Sequence, residues 1–219
     1  MSKRYATEVL VLPTVAVHPL WEEVDIAARH IFGRMLARER LPDHLPPWQW
    51  TFPQQEQAPE LLKPGASVYG CLRLPHIKGM MELKGIILNH DSGQTQEERF
   101  RHWLHRLDNA RYRLPHLEAK VRRLAAIHAG WWLAVEGPSH QLFRLVVGAW
   151  GAALADHTAG LIHSEAGLWE YERFPATPRE FEHWFFRPEH CAFSGWADRT
   201  RKHWQRIADL LREDEYGAG

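Results

Sequence analysis

The chain has 219 residues, 45% of them apolar, and its 27 basic and 27 acidic side chains cancel. That is enough apolar material for one domain with a sizeable core, and the zero net charge argues against a dedicated nucleic-acid binder, which carries a basic excess, and against electrostatic attachment to a membrane. No run approaches the ~18 consecutive apolar residues of a membrane span, and Met1-Ser2-Lys3-Arg4 leads into Tyr5-Ala6-Thr7-Glu8 rather than the apolar core of an export signal.

Ala6 to Leu12 is a short apolar strand ended by Pro13. Pro19 suits the first turn of a helix, and Trp21, Val24, Ala28, Ile31, Phe32 and Met35 recur at helical spacing, which predicts an amphipathic helix over 19–39. Residues 41–64 carry Pro42, Pro46, Pro47, Pro53, Pro59 and Pro64, a density that forbids regular structure across most of the segment. The expectation is an irregular excursion with Trp48 and Trp50 on a brief strand. Ala66–Leu74 and Met80–Leu88 read as two strands joined by a hairpin or wide loop. Thr95-Gln96-Glu97-Glu98 has capping-box form and opens a helix striped by Phe100, Trp103, Leu104 and Leu107; Pro115 re-aims the chain into a second helix over 116–126.

Trp131–Val135 is a continuous apolar run, expected as a central strand. The helix over 138–157, with Ser139 near its cap, is apolar around most of its circumference, and such a helix is buried. Gly148, Gly151, Ala152 and Ala155 give it small residues where another element can approach closely. A strand–turn–strand hairpin is expected over 160–171. Thr177-Pro178-Arg179-Glu180 is a second capping box with Pro at the first helical position, and its helix carries Phe181, Trp184 and Phe185. Ser194 is expected to cap a last helix striped by Trp196, Thr200, Trp204, Ile207 and Leu211, before a frayed tail at 217–219. Helices interrupt the strands without strict βαβ alternation, which favours a single α+β domain over 1–216, with a mixed sheet packed by amphipathic helices around the buried 138–157 helix.

Catalytic signatures are missing from the pattern. The 15 histidines include the pairs His102/His105 and His157/His163 and the group His183, His190 and Cys191, without HExxH or paired CxxC spacing, so no metal is expected. There is no GxSxG, no GxxxxGK[ST] and no GxGxxG, so no catalytic residue and no cofactor is expected either. Cys71 and Cys191 are far apart in sequence and read as reduced thiols. The 11 tryptophans are the compositional outlier; an aromatic excess means a bulky core or an adhesive surface.

One stretch resembles a known group. Val146 to Glu165, with Ala153-Leu154-Ala155, Thr158 and Gly160, followed by Gly167-Leu168-Trp169 and preceded by Ile127 to Val135, resembles bacterial immunity or accessory proteins encoded beside polymorphic or type VI secretion toxins. The resemblance covers residues 127–171, and the 41–64 segment has no counterpart in it. It implies a cytoplasmic immunity protein, not an enzyme, whose partner is a cognate toxin neutralised by stoichiometric occlusion, with no nucleic acid and no membrane involved. The alternatives are a secretion chaperone or adaptor that loads an effector, and a hydrolase with a dispersed histidine-based site. Two segments carry large side chains without helical core periodicity and are the expected partner-binding residues: Trp48 and Trp50 in the excursion, and Glu165, Trp169, Glu170, Tyr171 and Glu172 on the hairpin. Strand alternation there turns Trp169 and Tyr171 to one face and Glu170 and Glu172 to the other; against a nuclease toxin those carboxylates would mimic phosphates.

Overall fold

Six strands assemble into one sheet. A computed structural model of the chain describes residues 5–41, 48–53, 57–63, 66–74, 77–87, 117–127, 129–136, 140–164 and 174–216. The strands are β1 (Tyr5–Leu12), β2 (Gln49–Thr51), β3 (Ser67–Leu74), β4 (Ile77–Ile87), β5 (Ala129–Glu136) and β6 (Leu161–His163), in the order β2-β3-β4-β5-β1-β6. The helices are α1 (Trp21–Arg38), α2 (Glu118–Ile127), α3 (Gln141–His157), α4 (Pro178–Trp184) and α5 (Ser194–Tyr216), with a 3-10 turn at Pro188–His190. The chain is an α+β protein. The sheet is antiparallel in every pairing rather than mixed. β5 is interior, as its continuous apolar run requires: Leu133 is paired with Leu83 of β4 on one side and Val9 of β1 on the other.

Period-two alternation aims one sheet face at α3. On β3, Val68, Gly70, Leu72 and Leu74 turn inward while their neighbours are more exposed. Every residue of α3 from Leu142 to Ala155 except Arg144 is buried, because the sheet covers one side of this helix and α1, α4 and α5 cover the others. Its small residues serve two different neighbours. A Cβ at Gly151 would lie 2.6 Å from Val9 Cγ1 on β1, and one at Gly148 would overlap the ring of Phe185, just beyond α4, with Cδ1 and Cζ at 2.6 and 2.7 Å.

The exit from α3 is fixed by backbone bonds. The Gly160 N–H donates to Ala155 O at 2.6 Å and the Ala159 N–H to Asp156 O at 3.1 Å, the crossed pair of a Schellman ending. Ala159 takes the left-handed position (φ 47°). Gly160 is required for another reason: a Cβ there would sit 2.6 Å from Leu12 O. Thr158 donates its hydroxyl to Leu154 O at 2.8 Å. The Thr14 N–H and hydroxyl donate to Thr158 O (3.1 Å) and Ala159 O (2.8 Å), tying the end of β1 to this exit.

Several helix starts differ from expectation. Pro19 precedes α1 and is extended: its carbonyl accepts from Leu62 N at 2.9 Å, and Leu20 bridges Leu61, so residues 60–62 hold the entry to the helix. α3 begins at Gln141 with His140 as its cap, the ring Nδ1 accepting from Leu142 N at 3.3 Å. Ser194 is the first residue of α5 rather than its cap, and Phe193 O accepts from Trp196 and Ala197. The Thr177–Glu180 capping box forms as expected, with both reciprocal bonds present. Ser139, the capping box at 95–98, the Phe100–Leu107 stripe, the hairpin residues from 165 on and the tail at 217–219 lie outside the described residues.

Candidate functional site

Trp48 and Trp50 converge on one carboxylate. Asp25 lies on the inner face of α1 and is 9% exposed. Its Oδ1 accepts the indole N–H of Trp48 at 2.7 Å and of Trp50 at 2.8 Å, and its Oδ2 accepts from Arg29 Nε at 2.8 Å. Arg29 also donates to Trp48 O at 2.8 Å and lies over the Trp48 ring. The Pro-rich excursion is thereby fastened to α1. Trp48 is 3% exposed, which places it in the core rather than on a surface a partner can reach. Trp50 is half-buried in an aromatic cluster with Trp21, Phe52 and Trp150. The other expected docking residues, Glu165, Trp169, Glu170, Tyr171 and Glu172, lie outside the described residues. Among the nine described tryptophans none is exposed, so there the aromatic excess is core material.

The histidine groupings are sparse. His183 and His190 approach with ring centroids 6.1 Å apart, and among the described residues no three His, Cys, Asp or Glu side chains converge in a way that would hold a metal ion. Neither Cys71 nor Cys191 is in a disulfide. Cys191 Sγ lies 3.4 Å from the Thr200 hydroxyl.

Two open grooves flank α1. One open groove of about 580 Å³ runs between α1 and α4 and is lined by Arg34, Arg38, Arg179, Glu182 and His183. A second, of about 590 Å³, runs between α1 and α3 and is lined by Arg29, His30, Arg34, Ala153 and Asp156. Arg34 borders both. Its Nε and Nη2 donate to the two carboxylate oxygens of Glu182 at 2.6 and 2.7 Å, a bidentate fit that guanidinium geometry favours. The bond to Glu182, assisted by the Glu182 and Asp156 charges, holds the Arg34 proton more tightly than usual. Arg38 donates to Glu182 O (2.7 Å) and Phe185 O (3.1 Å) and to Glu39 Oε1 (3.1 Å), and burial pushes its pKa down. Arg179 is exposed beside them.

This face carries both charges: Arg34 is paired with Glu182, Asp156 and Glu180 also line the grooves, and Arg179 and His30 are presented to solvent. Sequence reasoning passed over it. The signal was the i, i+4 series His30, Arg34 and Arg38 on the polar side of α1, a spacing that puts all three on one face. Among the described residues no helix is long and apolar enough to cross a membrane. No protein-family model matches the chain, and no curated protein or solved structure is found to resemble it.

Proposed function

We propose that this chain is an immunity protein that acts in the cytoplasm of a toxin-producing bacterium and neutralises its cognate toxin by stoichiometric occlusion, with the outer face of α1 as the docking surface. The observation that carries the reading is the pair of open grooves flanking α1 and sharing Arg34. They present an indented, charged surface on an 18-residue helix that α3 supports from behind. A specific interface buries about 1,200–2,000 Å² in total, which a chain of 219 residues can offer. The resemblance over 127–171 supplies the toxin as the class of partner, and its residues Ala153 to Gly160 build the element on which α1 rests.

The test is binding to the product of the neighbouring gene, followed by rescue of cells that express that product. Arg179→Glu with His30→Glu alters exposed side chains on both grooves. It is expected to weaken binding at least about tenfold, roughly 1.4 kcal/mol, with an unchanged circular dichroism spectrum. Glu170→Lys with Glu172→Lys tests the hairpin in the same assay. Undiminished affinity in both double variants removes these two surfaces from the interface. A neighbouring product that neither binds the chain nor harms cells lacking it removes the immunity function itself.

A further inference from the structure

On the far side of α3 the charge pattern changes. Several arginines in the described residues meet carboxylates, as in Arg29–Asp25, Arg34–Glu182, Arg187–Glu189 and Arg201–Asp198. Where α5 packs on the start of α3, arginines gather without one. Arg199, His203 and Arg206 are spaced i, i+4, i+7 on α5, so they share a face. His140 and Arg144 are spaced i, i+4 on the cap and first turn of α3. None of the five forms an ion pair among the described residues. Arg144 is half-buried, and its Nε is sealed from solvent with no hydrogen-bond acceptor. A buried donor left unmatched is destabilising, a penalty that an incoming anion would lift.

We infer that this seam, formed by His140 and Arg144 of α3 with Arg199, His203 and Arg206 of α5, binds a single phosphoryl group, either free orthophosphate or a phosphomonoester. The choice of anion follows from the donors. A carboxylate brings one charge and suits one guanidinium. A phosphoryl group brings a charge of about −1.5 to −2 and three acceptor oxygens, which suits several guanidinium groups that face no carboxylate, Arg199 lying over the Trp196 ring 4.6 Å from its centroid. Charge repulsion is visible at His203: burial, then the Arg144, Arg206, Arg199 and His140 charges, depress its pKa to about 4. Its ring is held flat against Phe186, centroids 6.0 Å apart, so it stays at the seam as a neutral imidazole whose protonation a dianion would favour. This site, on α3 and α5, shares no residue with the linings of the two grooves along α1 and does not rest on the toxin-binding reading.

The experiment follows the His203 ring signals by NMR while the full chain is titrated at neutral pH with sodium orthophosphate, with sodium chloride at matched ionic strength as reference. The expected result is a saturable shift with Kd below about 1 mM, together with a rise of the His203 pKa from about 4 towards its ordinary 6.5. Arg206→Gln, at an exposed position that need not disturb the fold, should weaken binding about tenfold, the loss of one charge-assisted hydrogen bond. Arg122→Gln on α2 should leave it unchanged. Adenosine monophosphate identifies the source: tighter binding than orthophosphate supports a phosphomonoester, and equal or weaker binding supports the free ion. A shift that chloride reproduces, or that never saturates, overturns the site. Equal affinity in wild type and the Arg206 and Arg199 glutamine variants overturns it as well.

Discussion

Replacing Gly148 by Ala sets two effects against each other, and the structure decides between them. Alanine in mid-helix is favoured over glycine by about 1 kcal/mol. The added Cβ, however, would meet the Phe185 ring, 2.7 Å from Cζ. Ordinary contact begins at 3.4 Å and Cε1 is closer to the added Cβ than Cζ is, so the ring edge must retreat by more than the Cζ distance alone requires. Phe185 is 1% exposed and stacked on Phe181 with centroids 4.4 Å apart, so it has nowhere to go without displacing Phe181. Overpacking of this kind costs about 1–3 kcal/mol and occasionally more. The net expectation is destabilisation by about 2 kcal/mol, or a fall of about 4–8 °C in Tm for a chain of this size. Urea unfolding monitored by circular dichroism measures it. Adding Phe185→Leu should make the double variant less destabilised than the sum of the singles by about 1 kcal/mol or more. Gly195, on α5, has nothing within 4 Å of a built Cβ, so Gly195→Ala is the control and should not destabilise. A Gly148→Ala protein as stable as wild type, or more stable, would refute the argument that Phe185 presses on the helix backbone.

Asp25→Ala leaves the Trp48 and Trp50 indole N–H groups and the Arg29 guanidinium without their acceptor. The expected cost is about 3–5 kcal/mol, and a loss under about 1 kcal/mol in urea unfolding would show that the carboxylate is not what secures the excursion. Stability should also fall with acidity through His203. Its folded pKa of about 4 lies below the ordinary 6.5, so the unfolded chain binds more protons between those values. The contribution is complete above pH 6.5 and is lost as pH falls towards 4. A displacement of this size corresponds to about 3 kcal/mol, reduced to about 1–2 kcal/mol by solvent screening of a half-buried ring. His203→Gln should flatten the pH dependence of unfolding in that window, and an unchanged slope would refute the assignment.

Local periodicity carried much of this fold. α3 was legible because apolar residues on all sides leave a helix no solvent-facing orientation, and the Thr177–Glu180 box because its two bonds are made within four residues. Strand direction was not legible. β4 and β5 are separated by a helix-containing connection, a spacing equally compatible with a parallel crossover, and no local residue pattern distinguishes their antiparallel pairing from it. Helix starts were misplaced where tertiary bonds override the local cap, as when Pro19 pairs with the 60–62 segment instead of opening α1. In the candidate site, Trp48 and Trp50 lacked helical spacing, which suggested an exposed role. The compensating signal was Asp25, an acid placed among Trp21, Val24 and Ala28 on the buried side of α1; a carboxylate there needs donors, and these two indoles supply them. The basic face of α1 was overlooked because only the apolar stripe of that helix was followed.

The indole rings of Trp21, Trp50 and Trp150 belong to α1, β2 and α3, with centroids between 4.5 and 5.6 Å apart. At such spacings their electronic transitions couple, so the three act as one chromophore assembled from distant parts of the chain. The contribution of Trp50 to its circular dichroism band is present only while β2 is docked on α1 and α3. Because Trp150 is fully buried with no hydrogen-bond acceptor for its N–H, its emission lies to the blue, and the first water to reach it would move that emission red. The protein therefore carries its own optical gauge of whether the excursion is seated on α1, readable without a label and at the dilution a binding experiment requires.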